Sequence, residues 1–355
     1  MRRGSSHEPV TVEPRRAAPT LADVAAKVGV SINTVSRSLR APQTVRPDLR
    51  HRIAAALDQC NYVPNRLAGG LAGAHTGMVG VIITSLFNSE FAAIIERLQR
   101  DLSAAGLNVM IGNSAYDLDE ELRLVRAMLS WRPAAVAIVG SDHHARAVEL
   151  LRSARVPVVE LWDAPDAAID SVVGMDHRAI GRLQAEHLMA QGCRRLAFVA
   201  AIRPHDYRAQ KRLDGARQAV RERLGCAISE HTAPTGGSPD LGDRLVDELL
   251  QREPGIDGIV CNSDLLAFGV LRGLHRLERR VPEDVAVVGF GDNEAGSCLR
   301  PSLSTVRPPR TEIGRLAAEV ILARLDRQQP LRHELEAELI VRETTREARG
   351  GGKHP

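Results

Sequence analysis

Between Ser31 and Arg40 the chain runs Ser-Ile-Asn-Thr-Val-Ser-Arg-Ser-Leu-Arg, a row of short hydrogen-bonding side chains closed by guanidinium groups. Each type has a partner on double-stranded DNA. Arginine can bridge O6 and N7 of guanine, asparagine can pair with adenine, and isoleucine can touch a thymine methyl. Ile32, Asn33 and Arg37 are therefore the base-reading candidates, with Arg37 assigned to a guanine. Thr20, Leu21, Ser31, Thr34, Ser36 and Arg40 form the set expected to hold the DNA backbone and set register. A helix cap is the competing role for each of these Ser and Thr residues.

Such groups need two short helices to present them. Leu21, Val24, Ala25 and Val28 recur at helical spacing, and Thr20 with Asp23 three residues on makes a variant capping box. Gly29 suits the left-handed end of that helix. Ser31 caps the next, with Val30, Val35 and Leu39 turned inward. The pattern is a helix-turn-helix whose second helix is the recognition element. Pro47 opens a third helix with Ile53 and Leu57 on its inner face.

The motifs Asp-Val-Ala, Gly-Val-Ser and Thr-Val-Ser-Arg within residues 23–37 resemble the headpiece of the lactose/galactose repressor family. Arg40 stands where much of that family has Asn, which implies an added phosphate contact. The resemblance also gives Val63-Pro-Asn-Arg-Leu-Ala-Gly-Gly-Leu-Ala-Gly73 a meaning. It implies a hinge helix, capped by Asn65, that pairs with its twin in the minor groove while Leu71 wedges into a central C-G step and bends the duplex. Gly69, Gly70 and Gly73 each disfavour a helix by about 1 kcal/mol. The segment is thus expected to fold only when held, and a plain flexible linker is the alternative.

Charge supports a separate head. Residues 1–75 hold eleven Lys/Arg and five Asp/Glu, against 36 and 39 in the rest of the 355-residue chain. A basic head on a slightly acidic body is the pattern of a phosphate-binding module. The five cysteines are scattered without a paired spacing, which fits a reducing cytoplasm and neither a zinc site nor a disulfide framework. Residues 1–19 lack an apolar segment and read as a disordered basic arm, and no stretch reaches transmembrane length.

From Met78 onward short apolar runs alternate with helical patterns: 79–83, 108–112, 135–139, 156–160, then 196–199, 258–260, 285–289 and 338–342. Such alternation argues for parallel α/β sheets, and two series argue for two lobes with a cleft. This is similar to the periplasmic sugar-binding fold that forms the core of the same repressor family. The expected organisation is an all-α head over 20–64, a hinge over 65–76, and a two-lobed α/β sensing core over 77–345, with a disordered tail over 346–355. Lobe 1 is expected to take about 77–175 and 305–330, and lobe 2 about 176–304 and 331–345.

In open α/β sheets ligands sit beyond the carboxyl ends of the strands. Phe87, Phe91, Trp162 and Phe290, four of only ten aromatic residues, fall there. Each could instead be plain core. Ser85, Asn88, His143, Asp163, Arg212, Ser263, Asp264 and Asp292 are the polar candidates. His143 could serve as a neutral hydrogen-bonding group or simply face solvent. Arg212 matches the family's effector-binding arginine, and Asp264 its Asn-Asp loop, with Ser263 in place of the Asn. Gly289-Phe-Gly-Asp292 replaces the commoner Gly-Tyr-Asp-Asp, so an acid is missing at Gly291, which suits an anionic effector.

Arg37-Ser-Leu-Arg40, Leu161-Trp-Asp163 and Gly289-Phe-Gly-Asp292 resemble the gluconate-utilisation repressor branch. This implies a cytoplasmic homodimeric repressor on a pseudo-palindromic DNA operator, released when a sugar acid fills the cleft. A corepressor-dependent or dual regulator answering a neutral sugar is the alternative. No nucleophile elbow, phosphate-binding loop or metal motif stands after a strand, so no enzyme, metal or cofactor is expected.

Overall fold

The computed structural model describes residues 18–64 and 76–345. The expected arm, Asn65 and Leu71 of the hinge, and the tail beyond 345 lie outside the described residues. The chain divides into two units at Ala74/His75.

The first unit holds α1 (Leu21–Val28), α2 (Ile32–Arg40) and α3 (Pro47–Gln59). Thr20 and Asp23 close the capping box, with Thr20 N donating to Asp23 Oδ2 at 2.7 Å. Gly29 takes φ +74°, and its N–H and that of Val30 both reach the Ala25 carbonyl. This left-handed step turns α1 into α2. Val24, Ala25, Val28, Val35, Ile53 and Ala56 form the head core, with Leu57 packed against it. Leu39 departs from expectation: it is 37% exposed, and Ser38 is buried in its stead. Ser38 lies three residues after Val35 and so shares its face of the helix.

The second unit contains two six-stranded sheets. The first comprises β1 (Met78–Ile83), β2 (Asn108–Asn113), β3 (Ala135–Val139), β4 (Val158–Asp163), β5 (Ser171–Met175) and β11 (Arg332–Glu334), in the order β11-β5-β4-β3-β1-β2 and all parallel. The second comprises β6 (Leu196–Ala201), β7 (Ser229–Ala233), β8 (Gly258–Cys261), β9 (Ala286–Phe290), β10 (Ser304–Arg307) and β12 (Glu338–Ile340), in the order β12-β10-β9-β8-β6-β7, with only β12 antiparallel. Central strands are buried throughout, as sheets covered on both faces require.

The helices that matter for the site are α4 (Ser89–Ala104), α5 (Leu118–Ser130), α6 (Ala145–Ala154), α7 (His177–Ala190), α8 (Tyr207–Leu224), α9 (Pro239–Arg252), α10 (Asp264–Arg276), α11 (Glu294–Cys298) and α12 (Arg310–Leu325). α7 and α8 are in unusually close contact. A Cβ at Gly181 would overlap the Arg212 carbonyl, and one at Gly215 the Arg178 carbonyl. These glycines bring α8 down onto α7 and fix where Arg212 stands.

The expected lobe boundaries need two corrections. Thr305 pairs with Gly289, so β10 stays in the second sheet and the return to the first begins after Arg307. β11 pairs with β5 in the first sheet, so 331–334 belongs there and the last crossing falls before β12. Four strands, β5, β7, β10 and β11, were not anticipated. β7 and β11 are polar edge strands without an apolar run, and β5 and β10 are short and carry Ser, Thr or Gly. The fourth strand begins at Val158, two residues later than expected, because Pro157 has no N–H to give a ladder.

Candidate functional site

Two sites emerge, one in each unit. On the head, Ser31 caps α2 by accepting from Thr34 N at 3.1 Å, and its hydroxyl also meets that of Thr34 at 2.9 Å. Arg40 binds the Ser36 hydroxyl at 2.6 Å. Thr20, Ser31, Thr34 and Ser36 thus already hold local hydrogen bonds. Leu21 packs its side chain on the head core, which leaves only its backbone at the start of α1 to face a phosphate. Ile32, Asn33 and Arg37 are exposed along α2. The side chains of Asn33 and Arg37 have no hydrogen-bond partner among the described residues. The three base-reading candidates thus offer one apolar, one amide and one guanidinium group, and the two polar ones have no partner among the described residues.

In the second unit a cavity of about 160 Å³ opens between the two sheets. Eight expected residues line it: Ser85, Phe87, Asn88, Phe91, Trp162, Arg212, Ser263 and Phe290. Phe91, Trp162 and Phe290 make its apolar wall. The Trp162 ring lies 5.5 Å from Phe91 and 6.2 Å from Phe290, each edge to face. Phe87 is 97% exposed at the rim.

Arg212 sits at the back. Its Nη1 donates to His177 Nδ1 at 2.9 Å and its Nη2 to the Asn262 carbonyl at 3.2 Å, while Nε is buried with no hydrogen-bond partner. The guanidinium carbon stands 4.3 Å over the Phe290 ring. Burial lowers its pKa to about 10, with Arg208 adding repulsion. His177 is kept neutral by burial and by the Arg212 charge, and its Nε2 meets the Trp162 carbonyl at 3.2 Å. The result is a buried cation with one nitrogen, Nε, left without any partner.

Four expected residues do not line the cavity. His143 lies between Glu121 (3.0 Å) and Glu160 (3.6 Å) with its side chain 1% exposed. Burial opposes its charge, yet the hydrogen bonds and charges of the two glutamates raise it to about 9. It is a structural imidazolium, not a neutral ligand group. Asp163 accepts from Lys211 Nζ at 2.5 Å and Ser141 Oγ at 2.6 Å. Burial works against this carboxylate, but those partners help hold it below the usual range. Asp264 accepts from Asn293 N and Thr305 Oγ1, both at 2.7 Å, and burial raises it to about 6. Asp292 is taken by Arg307 (2.6 Å) and Arg342 (2.7 Å). Each of these acids has its oxygens engaged by the protein.

Sequence reasoning missed Glu90, Tyr116, Arg203, Arg208 and Asn262, which also line the cavity. The same rule of strand carboxyl ends covers Tyr116, Arg203 and Asn262, which follow β2, β6 and β8. Arg203 lies 5.3 Å over the Tyr116 ring, and Arg208 donates to Thr84 Oγ1 at 3.2 Å across the cleft. Lys211 makes a second bridge across it, to Asp163 and to Asp142 (3.5 Å). The acid missing at Gly291 is replaced in space. A Cβ there would stand 2.5 Å from Glu90 Oε1. Among the described residues no metal-holding cluster is present, and no helix is long and apolar enough to cross a membrane.

Comparison with known proteins covers both units. Residues 20–65 match the bacterial regulatory proteins of the lacI family, and residues 185–345 match a periplasmic binding protein-like domain. The HTH-type transcriptional regulator GntR of Pseudomonas aeruginosa is 36% identical over 332 residues, which is 92% of this chain and 96% of that protein. The crystal structure of a LacI-family transcriptional regulator from Silicibacter pomeroyi aligns with a TM-score of 0.86 at 34% identity, covering 92% of this chain and 99% of that one. The lac repressor dimer bound to operator and the anti-inducer ONPF aligns at 0.79 and 25% identity, covering 93% and 99%.

Proposed function

This chain belongs to the lacI family of bacterial regulatory proteins, is a DNA-binding transcriptional regulator and not an enzyme, and from that premise we propose that it is a homodimeric repressor of sugar-acid catabolism genes, released from a pseudo-palindromic operator when a gluconate-like acid enters the cleft. The observation that carries the choice of an acid is Arg212. A buried guanidinium with an unpartnered Nε and a pKa lowered to about 10 favours an incoming anion over a neutral group. Trp162, Phe91 and Phe290 would cover the carbon chain. Likeness to GntR supports the same reading.

The operator reading rests on Ile32, Asn33 and Arg37 as base contacts, with Thr20, Leu21, Ser31, Thr34, Ser36 and Arg40 on phosphates and Asn65 and Leu71 acting through the hinge. Two-fold symmetry of the protein requires two half-sites. For the dimer, β2 is an edge strand with Ile111 45% exposed and Val109 and Met110 half covered, beside α4. Such an edge is normally paired or covered. The related lac repressor is a dimer on its operator. A ligand that favours one lobe arrangement shifts hinge pairing, and DNA in turn weakens the ligand. The protein would act in the cytoplasm.

Selection of bound duplexes from a random pool at fixed salt tests this, since affinity depends on salt. The expected product is a two-fold symmetric site with a central C-G step whose enrichment is lost with gluconate. Enrichment only in the presence of gluconate overturns the induced mechanism in favour of corepression. Release by a neutral sugar but not by gluconate overturns the acid.

A further inference from the structure

The cleft also carries a carboxylate on its first-lobe wall. Glu90 sits in the first turn of α4 and lines the cavity from the first lobe, while Arg203, Arg208 and Arg212 line it from the second together with one acid, Asp206, which stands 3.8 Å from Arg208. Its carboxylate has no side-chain hydrogen-bond partner among the described residues. It projects into the space left by Gly291, where an added Cβ would stand 2.5 Å from Glu90 Oε1 and 3.6 Å from Asp264 Oδ2. The two acids therefore face each other across the place of one absent side chain. They differ in use: both Asp264 oxygens accept from other parts of the protein, whereas the Glu90 carboxylate accepts only from its own backbone N–H and keeps acceptor capacity for a ligand. Burial raises Glu90, and Asp264 adds to this while Arg310 and Arg212 oppose it.

We propose that Glu90 is the specificity-determining acceptor that reads the hydroxyl-bearing tail of the effector, opposite the arginines that take its anionic head. The inference rests on the anionic ligand class argued above, but it adds the other half of the molecule: a ligand with an acid at one end and hydroxyl donors at the other. A bare fatty acid would leave Glu90 buried beneath it without a donor, and such loss of a partner is what makes a polar site discriminate strongly. Because Glu90 and Arg212 lie on different lobes, one ligand bridging them favours the closed arrangement.

Isothermal titration of the full-length protein with gluconate and with hexanoate, the same chain length without hydroxyls, tests this. The probes are run on wild type, Glu90→Ala, Glu90→Gln and Arg212→Ala. Wild type should prefer gluconate. Glu90→Ala should lose at least about tenfold in gluconate affinity, as for one charge-assisted hydrogen bond, with no loss for hexanoate. Glu90→Gln, which keeps the shape and an acceptor oxygen, should recover part of it. Unchanged gluconate affinity in Glu90→Ala, or equal losses for both acids, overturns the role of Glu90. Should the protein instead bind glucose and neither acid, the acid class fails; a glucose affinity that still falls in Glu90→Ala would keep Glu90 as the hydroxyl reader.

Discussion

Replacing Arg212 by methionine separates a guanidinium that holds the fold from one that waits for a ligand. The lowering of Arg212 from the ordinary arginine range to about 10 corresponds to about 3 kcal/mol against its charged form. Opposing this are hydrogen bonds to His177 and the Asn262 carbonyl, about 1 kcal/mol each. The Phe290 ring beneath the guanidinium adds about 1 kcal/mol. These contributions nearly cancel, so Arg212→Met, which keeps much of the stem volume, should cost the unliganded core only about 1–3 kcal/mol, the penalty for leaving His177 Nδ1 and the Asn262 carbonyl without their donor. The liganded state should differ sharply. With gluconate at a hundred times its Kd, wild type gains about 2.7 kcal/mol of stability and the variant gains none. Denaturant unfolding followed by far-UV circular dichroism, with and without gluconate, measures both. A variant that loses several kcal/mol without ligand, yet is still stabilised by gluconate, would make Arg212 a structural group and refute the argument.

Three further outcomes follow from particular contacts. Arg37→Ala should cost about 1–3 kcal/mol of operator affinity and relax preference at one base pair per half-site. Competition binding at fixed salt reads this, and an equal loss on every sequence would make Arg37 a phosphate contact. His143, raised from 6.5 to about 9, stabilises the core fully below about pH 6.5, and that contribution is lost as pH rises through about 9. It amounts to roughly 3 kcal/mol, and an NMR titration of the ring with a midpoint below 7 would contradict the buried ion pair. Lys211→Met strips the 3% exposed Asp163 of its cation and should destabilise the core by about 2 kcal/mol. Adding Asp163→Asn should recover part of that, and no recovery would mean the pair is not coupled.

Much of the head was readable because its signals are local. Thr20, Asp23, Gly29 and Ser31 act on neighbours within a few residues, and their capping bonds and left-handed turn are as the sequence implies. The alternation of apolar runs likewise fixes a parallel α/β core, since strands buried on both faces must be apolar throughout. Polar edge strands such as Ser229–Ala233 carry no such mark. The aromatic residues near strand ends could be placed from chain order, whereas Arg212, inside α8, was singled out through its match to the family's effector-binding arginine.

Which groups this protein has to offer was legible along the chain: a guanidinium, an amide and an apolar side chain on a recognition helix, and aromatics with an arginine at a cleft. Which charges remain available there depends on how the folded chain packs. His143, Asp163, Asp264 and Asp292 looked like ligand groups, but each is neutralised or saturated by residues far away in sequence, such as Glu160, Lys211, Thr305 and Arg342. Glu90 was not singled out from the sequence; it becomes a cleft carboxylate with room for a ligand because Gly291, distant along the chain, has no side chain there. Burial and pairing are properties of neighbours in space, and a charge in low dielectric is governed by those neighbours more than by its own type.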